Sequence, residues 1–181
     1  RAIVVSPSIR GEVEPEFFAE MRKRNGTILA ADVQGFIRVL RGETLIYEPW
    51  DEMPLVLGHL DVLKSDAVEA KFLTGEDNIE RAAEFYAAQG AREIVLTHSE
   101  GVLIYAEGKH HHFRFHSQSM AGRSGRGDTC LGSYVTMRLS LPPREAGKWA
   151  AAATSMKVER HGVFDRPVDE VRAFIAQHYA D

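Results

Sequence analysis

Short apolar runs alternate with stretches of helical spacing along this chain. Ala2-Ile3-Val4-Val5 reads as a buried strand, because strands covered on both faces carry continuous apolar runs. A loop through Pro7 and Gly11 leads to a helix that Pro15 opens and Asn25-Gly26 closes, with Phe17 and Met21 on its inner side. Thr27-Ile28-Leu29-Ala30-Ala31 is a second strand, ending at Asp32. Strand, helix, strand is the unit of a parallel sheet. Asp61-Val62-Leu63-Lys64 predicts a third strand, and Ser65 to Glu69 starts a helix from its end. Asp77 and Glu80 have the spacing of a capping box for another helix, which Gly90 terminates.

The second half continues the alternation. Glu93 to Thr97 and Val102 to Tyr105 predict two strands, and Gly108 turns the chain into Lys109 to His116. There, alternation puts His111, Phe113 and Phe115 on one face and His110, His112, Arg114 and His116 on the other. Leu131, Val135 and Leu139 share one face of a helix that ends before Pro142-Pro143. The next helix carries Trp149 and the small-residue patch Ala150 to Ala153, and the last starts near Pro167 with Val168, Val171, Phe174 and Ile175 as its apolar side. The expected fold class is α/β: a three-layer αβα sandwich around a mostly parallel, Rossmann-like sheet, with residues 1–181 forming one domain.

Composition narrows the function classes. The chain has 181 residues, 44% hydrophobic and 27% charged, as an ordinary globular domain does. A net charge of −4 gives no electrostatic reason to expect nucleic acid or an anionic membrane as partner. One cysteine excludes an internal disulfide framework and suits a reducing, cytoplasmic setting. No apolar run approaches membrane-spanning length. The His-X-His pairs near 110–112 lack a neighbouring Cys or acid in sequence, so a solvated hairpin face explains them better than zinc.

The candidate chemistry lies in Ala121-Gly122-Arg123-Ser124-Gly125-Arg126-Gly127-Asp128-Thr129. Glycines ahead of a helix let successive N–H groups turn toward one point, and the helix dipole behind them favours an anion. Asp128, in the first helical turn, puts a carboxylate beside that socket. A proton acceptor next to an anion cradle is what phosphoryl transfer to a hydroxyl needs. A flexible loop ending in an Asp N-cap would give the same spacing. Asp66 and Glu69, three apart at a helix start, can point together at one cation, or can simply complement the helix dipole. Asp32-Val33-Gln34-Gly35-Phe36 sits at the carboxyl end of a strand, the usual ligand edge of such sheets.

These segments together resemble the ribokinase-like (PfkB) sugar kinases. Gly125-Arg126-Gly127-Asp128-Thr129-Cys130-Leu131-Gly132 is similar to the family's G-A-G-D-x-F-x-G signature, Lys64 to Ala70 to its K-x-N-x-x-E-A, and Asp32 to Phe36 to its D-x-Q-G-F. Thr97 and Gly101 match T-x-G-x-x-G in a loop one residue shorter, and Ala151 to Gly162 resembles the family's adenine-side helix. The resemblance implies an ATP-dependent phosphotransferase with Mg2+ that moves the γ-phosphate to a hydroxyl of a sugar or similar small alcohol. It implies Asp128 as base, and Gly125, Arg126, Gly127 and Asp128 as anion hole. Nucleotide contacts would come from Lys64, Asp66, Thr97, Gly101, Ala152 and Ser155, and metal contacts from Glu69 and Asp66.

Departures from the pattern carry their own expectations. Asp66 stands where the family has Asn, and Arg126 where it has Ala. Gly122 holds the position, six before the catalytic Asp, where many members have an Asp that helps bind a monovalent cation. Arg123 or Arg126 is expected to supply positive charge in its place. The chain begins at Arg1 with no counterpart of the family's N-terminal portion and lid, so it is expected to be the C-terminal part of a longer kinase. A sheet edge or apolar patch bared in this way would allow a homodimer. A non-catalytic nucleotide-binding module is the alternative function. A nicotinamide oxidoreductase lacks its G-x-G-x-x-G after the first strand.

Overall fold

A computed structural model describes residues 1–117, 119, 121–122 and 124–180. Among these described residues, eight strands and eight helices follow in order: β1 Ala2–Val5, α1 Pro15–Arg22, β2 Ile28–Asp32, α2 Gln34–Ile37, β3 Arg38–Arg41, β4 Thr44–Tyr47, α3 Met53–Leu57, β5 Val62–Asp66, α4 Ala67–Thr74, α5 Ile79–Ala88, β6 Glu93–Thr97, β7 Gly101–Ala106, β8 Lys109–Arg114, α6 Arg126–Arg138, α7 Pro143–Val158 and α8 Val168–His178. The main sheet has the order β1-β2-β5-β6-β7-β8. Pairings from β1 to β6 are parallel, and β7 and β8 continue the sheet antiparallel.

Alternation along the strands builds two cores, one on each face. Leu29, Ala31, Leu63, Ile94, Leu96 and Leu103 point to the side covered by α1, α3, α4 and α5, with Phe18 and Tyr86 among them. Ala30, Val62, Val95, Val102 and Ile104 point to the opposite side, packed under α6, α7 and α8. The three-layer αβα arrangement expected from the apolar runs is therefore the one observed. Among the described residues, no helix is long and apolar enough to cross a membrane.

Several local expectations shift. Phe18 rather than Phe17 turns inward from α1: Phe18 is fully buried and Phe17 is 37% exposed. The N-cap of α5 is Asn78, whose side chain accepts from the amides of Glu80 and Arg81, while Asp77 pairs with Lys71. Leu139 lies beyond the last turn of α6 and is exposed, so Cys130, Leu131, Tyr134 and Val135 make the buried face. The β3–β4 hairpin, a separate two-stranded sheet, is an addition that the apolar pattern did not reveal.

Candidate active site

Three parallel strands end side by side at one edge of the sheet. β2 ends at Asp32, β5 at Lys64-Ser65-Asp66 and β6 at Thr97, with Asp32 in register with Lys64 and Asp66 with Thr97. Over this edge stands the start of α6. Gly125, its N-cap, has φ 75 and ψ 10, the left-handed region that favours glycine. The first bond of the helix runs from Thr129 N to Gly125 O at 3.0 Å. The amides of Arg126, Gly127 and Asp128 precede it, and helix geometry leaves them without intrahelical partners. Among the described residues, no side chain caps them. They open on a cavity of about 780 Å³ that is lined by Asp32, Gln34, Arg38, Lys64, Asp66, Ala67, Val68, Thr97, His98, Ser99 and residues 124–128.

Asp128 is exposed and lines this cavity and the neighbouring one behind the turn. Among the described residues no side chain pairs with its carboxylate. Arg126 and Arg38 also face the cavity, which thus combines two guanidiniums, helix amides and a carboxylate.

Beneath the turn lies a buried charge cluster. Lys64, 4% exposed, places its ammonium 2.9 Å from Asp32 Oδ2 and 3.8 Å from Glu69 Oε2. Burial alone would lower the pKa of this ammonium; Asp32, Glu69 and Asp66 together more than offset that, and the net direction is up. Glu69 gives way instead: burial pushes its carboxyl up to about 7 against the pull of Lys64, with the charges of Asp32 and Asp66 adding to the rise. Gly127 is needed here for close approach, because a Cβ at that position would lie 2.9 Å from Lys64 Nζ.

Asp66 and Glu69 form a reciprocal capping box at the start of α4. Asp66 Oδ1 accepts from Val68 N and Glu69 N, and Asp66 N donates to Glu69 Oε2 at 2.8 Å. Asp66 still borders the cavity, whereas Glu69 is 1% exposed and turned to Lys64. Among the described residues, no group of three or more His, Cys, Asp or Glu is gathered around one point. A hard cation held mainly by phosphate oxygens, with Asp66 as a protein ligand, fits this donor set.

The remaining expected contacts divide. Thr97 lines the cavity, together with His98. Gly101 does not; it lets β7 pass the β8 backbone, since a Cβ there would sit 2.3 Å from Phe113 O. Ala152 and Ser155 are fully buried in the α7 core. Ser155 Oγ donates to Ala151 O and accepts from His116 N, so neither residue presents surface to a ligand as placed. Arg123 lies outside the described residues. His110 and His112 face Glu84 and Glu80 of α5 at 3.3 and 2.7 Å, which ties the edge strand to that helix. Asp32, Gln34 and Arg38 join the site more fully than their loop suggested. Their common signal is the position at the carboxyl end of β2.

No protein-family model matches the sequence, and no curated protein matches it. Solved structures do. A pyrophosphate-dependent kinase in the ribokinase family, determined with sulfate, is 34% identical over 96% of this chain and 61% of its own, with a TM-score of 0.86. A pyrophosphate-dependent myo-inositol-1 kinase, converted to a myo-inositol-3 kinase by two substitutions, is 32% identical over 99% of this chain and 64% of its own, with a TM-score of 0.89. This chain belongs to the ribokinase family. The ribokinase fold also relates it to the Arabidopsis thaliana ribokinase complexed with ribose and ATP, at 18% identity over 96% of this chain and 55% of the other, with a TM-score of 0.76. This ribokinase-family chain spans less than two thirds of the length of these relatives.

Proposed function

We propose that the complete protein transfers the terminal phosphoryl group of a phosphoanhydride to a hydroxyl of a sugar or similar small alcohol. One observation carries this reading: the open amides of Arg126, Gly127 and Asp128 and the Asp128 carboxylate, unpaired among the described residues, meet in one cavity at the carboxyl edge of the sheet. The amides and the Arg126 guanidinium receive the transferring group, whose charge builds on its equatorial oxygens. Asp128 accepts the hydroxyl proton as the acceptor oxygen attacks phosphorus. Lys64 supports the floor of the socket from below, through its contact with Gly127. With ATP as donor, Mg2+ would be held by Asp66 and the phosphates; when bound, it neutralises charge on the anhydride.

A second reading, inorganic pyrophosphate as donor, is favoured by the burial of the residues expected to form an adenine wall. Ala152 and Ser155, expected beside an adenine, are sealed in the core, and the apolar side chains in the cavity wall are Ala67 and Val68. Three relatives above 30% identity are pyrophosphate-dependent.

Phosphorus NMR on the full-length protein tests both. Magnesium salts of ATP and of pyrophosphate are offered as donors, with ribose and myo-inositol among the acceptors. Transfer is expected, and Asp128→Asn should lower kcat by about 10² to 10⁴ while donor binding persists. Unchanged turnover in Asp128→Asn removes it as base. Nucleotide binding without transfer from any donor would support the non-catalytic module instead.

A further inference from the structure

The loop ahead of α6 and the end of α7 close around one buried ammonium. Lys157, in the last turn of α7, is 4% exposed. Its Nζ donates to the carbonyl oxygens of Gly122 at 3.1 Å and Arg160 at 3.4 Å. The same strands of backbone are joined by Gly122 N donating to Val158 O at 2.8 Å. The lysine stem runs beneath the N-cap of α6, where a Cβ on Gly125 would lie 3.7 Å from Lys157 Cε. Lys157 and Asp128 are walls of a single hollow of about 510 Å³, which also touches Gly122 and Gly125.

Backbone carbonyls gathered at a helix C-terminus carry partial negative charge and, when buried, need a donor or a cation. An alkali ion can serve them, and so can an ammonium. The resemblance led to an alkali ion near Gly122, held by an aspartate, or to a substitute arginine. Neither fits. Position 122 has no carboxylate and no room for one, since a Cβ there would fall 1.7 Å from Arg160 O. Arg126 faces the phosphate cavity, on the front of the turn. Among the described residues, the positive charge behind the turn belongs to Lys157.

We propose that Lys157 is a tethered monovalent cation: its ammonium holds the anion-binding turn from behind and makes phosphoryl transfer independent of added alkali ions. This rests on the phosphotransferase reading given above. Lys157 is a positioning residue, acting on the transferring group through its bond to Gly122 O and its contact with the Gly125 helix start.

The test uses the full-length protein in buffers whose only added salt is potassium, ammonium or tetramethylammonium chloride at matched ionic strength. Wild-type turnover should be the same in all three. Lys157→Ala should lower kcat on the order of 10²-fold through displacement of the turn. Potassium, ammonium or ethylammonium should restore part of that loss, and tetramethylammonium, too large for the hole, should not. Lys157→Met keeps the stem and fills the hole, so it should be slow and beyond rescue. Thermal unfolding gives a readout apart from activity: Lys157→Ala should gain stability from potassium over tetramethylammonium, and wild type should not. A wild type whose turnover rises several-fold with potassium overturns the proposal, as does a Lys157→Ala protein that is neither slowed nor cation-responsive. If no donor supports transfer, the phosphotransferase reading fails, and the unfolding comparison still decides whether Lys157 substitutes for a cation.

Discussion

Two glycines in α6 should respond in opposite ways to the same added methyl group. Gly132 faces open space: apart from the backbone of its own helix and its chain neighbours, no described atom lies within 4 Å of a Cβ built there. Alanine in a helix interior is favoured over glycine by roughly 0.5–1 kcal/mol, so Gly132→Ala should stabilise by about that amount. Gly127 lies in the same helix, but its Cβ would come within 2.9 Å of Lys64 Nζ and 3.1 Å of Lys64 Cε. The end of a lysine is ordinarily free to yield. Here it is buried and held 2.9 Å from Asp32 Oδ2, so yielding loosens an ion pair that has little water to replace it. Overpacking of this kind costs about 1–3 kcal/mol, which outweighs the helix gain. The two variants should therefore separate by about 2 kcal/mol, or roughly 4–8 °C in Tm for a chain of this size. Thermal and urea unfolding would measure the gap. A cycle with Lys64→Met then asks whether the Gly127→Ala penalty shrinks once the ammonium is gone. Equal stability of Gly127→Ala and Gly132→Ala, or a penalty indifferent to Lys64, would refute the close approach and with it the floor assigned to the socket.

Two further outcomes follow from burial. The Glu69 carboxyl, pushed up from 4.5 to about 7, keeps its proton in the native state over a range where the unfolded chain has lost it. Its contribution to stability is therefore fully present below 4.5 and is lost as pH rises through about 7. Glu69→Gln should flatten that decline, by on the order of a few kcal/mol, in urea midpoints taken across the range, and an unaltered slope would count against the shift. On α1, Phe18→Ala should cost about 3–5 kcal/mol, whereas Phe17→Ala should cost less than about 1 kcal/mol. Chemical denaturation distinguishes them, and a reversed order would return the helix to the face its spacing suggested.

What could be read in the sequence, and what could not, divides by the range of the interactions responsible. The strands were legible because both faces of each are covered, which leaves apolar runs such as Ile94-Val95-Leu96 whose character survives any uncertainty in partner. The inner face of α1 was not, because Phe17 and Phe18 are adjacent and either can share a face with Met21; only the neighbouring sheet decides. The β3–β4 hairpin escaped notice for the converse reason, since Leu40, Leu45 and Ile46 are exposed and its pattern marks no core. At the site, the glycine turn was legible because a left-handed N-cap and the open amides after it are local backbone properties. Charges were harder to place. The Asp32–Lys64 pair is made by register between β2 and β5, across half a Rossmann-like crossover. Lys157 was the least legible, because a lysine near the end of a helix ordinarily reads as a solvated residue. Its burial depends on a glycine 35 positions earlier that lacks the side chain which would displace it. Gly122 and Lys157 are thus two halves of one feature. Taken singly, the first suggests a lost cation ligand and the second an unremarkable surface charge; brought within 3.1 Å, they describe a site that supplies its own cation.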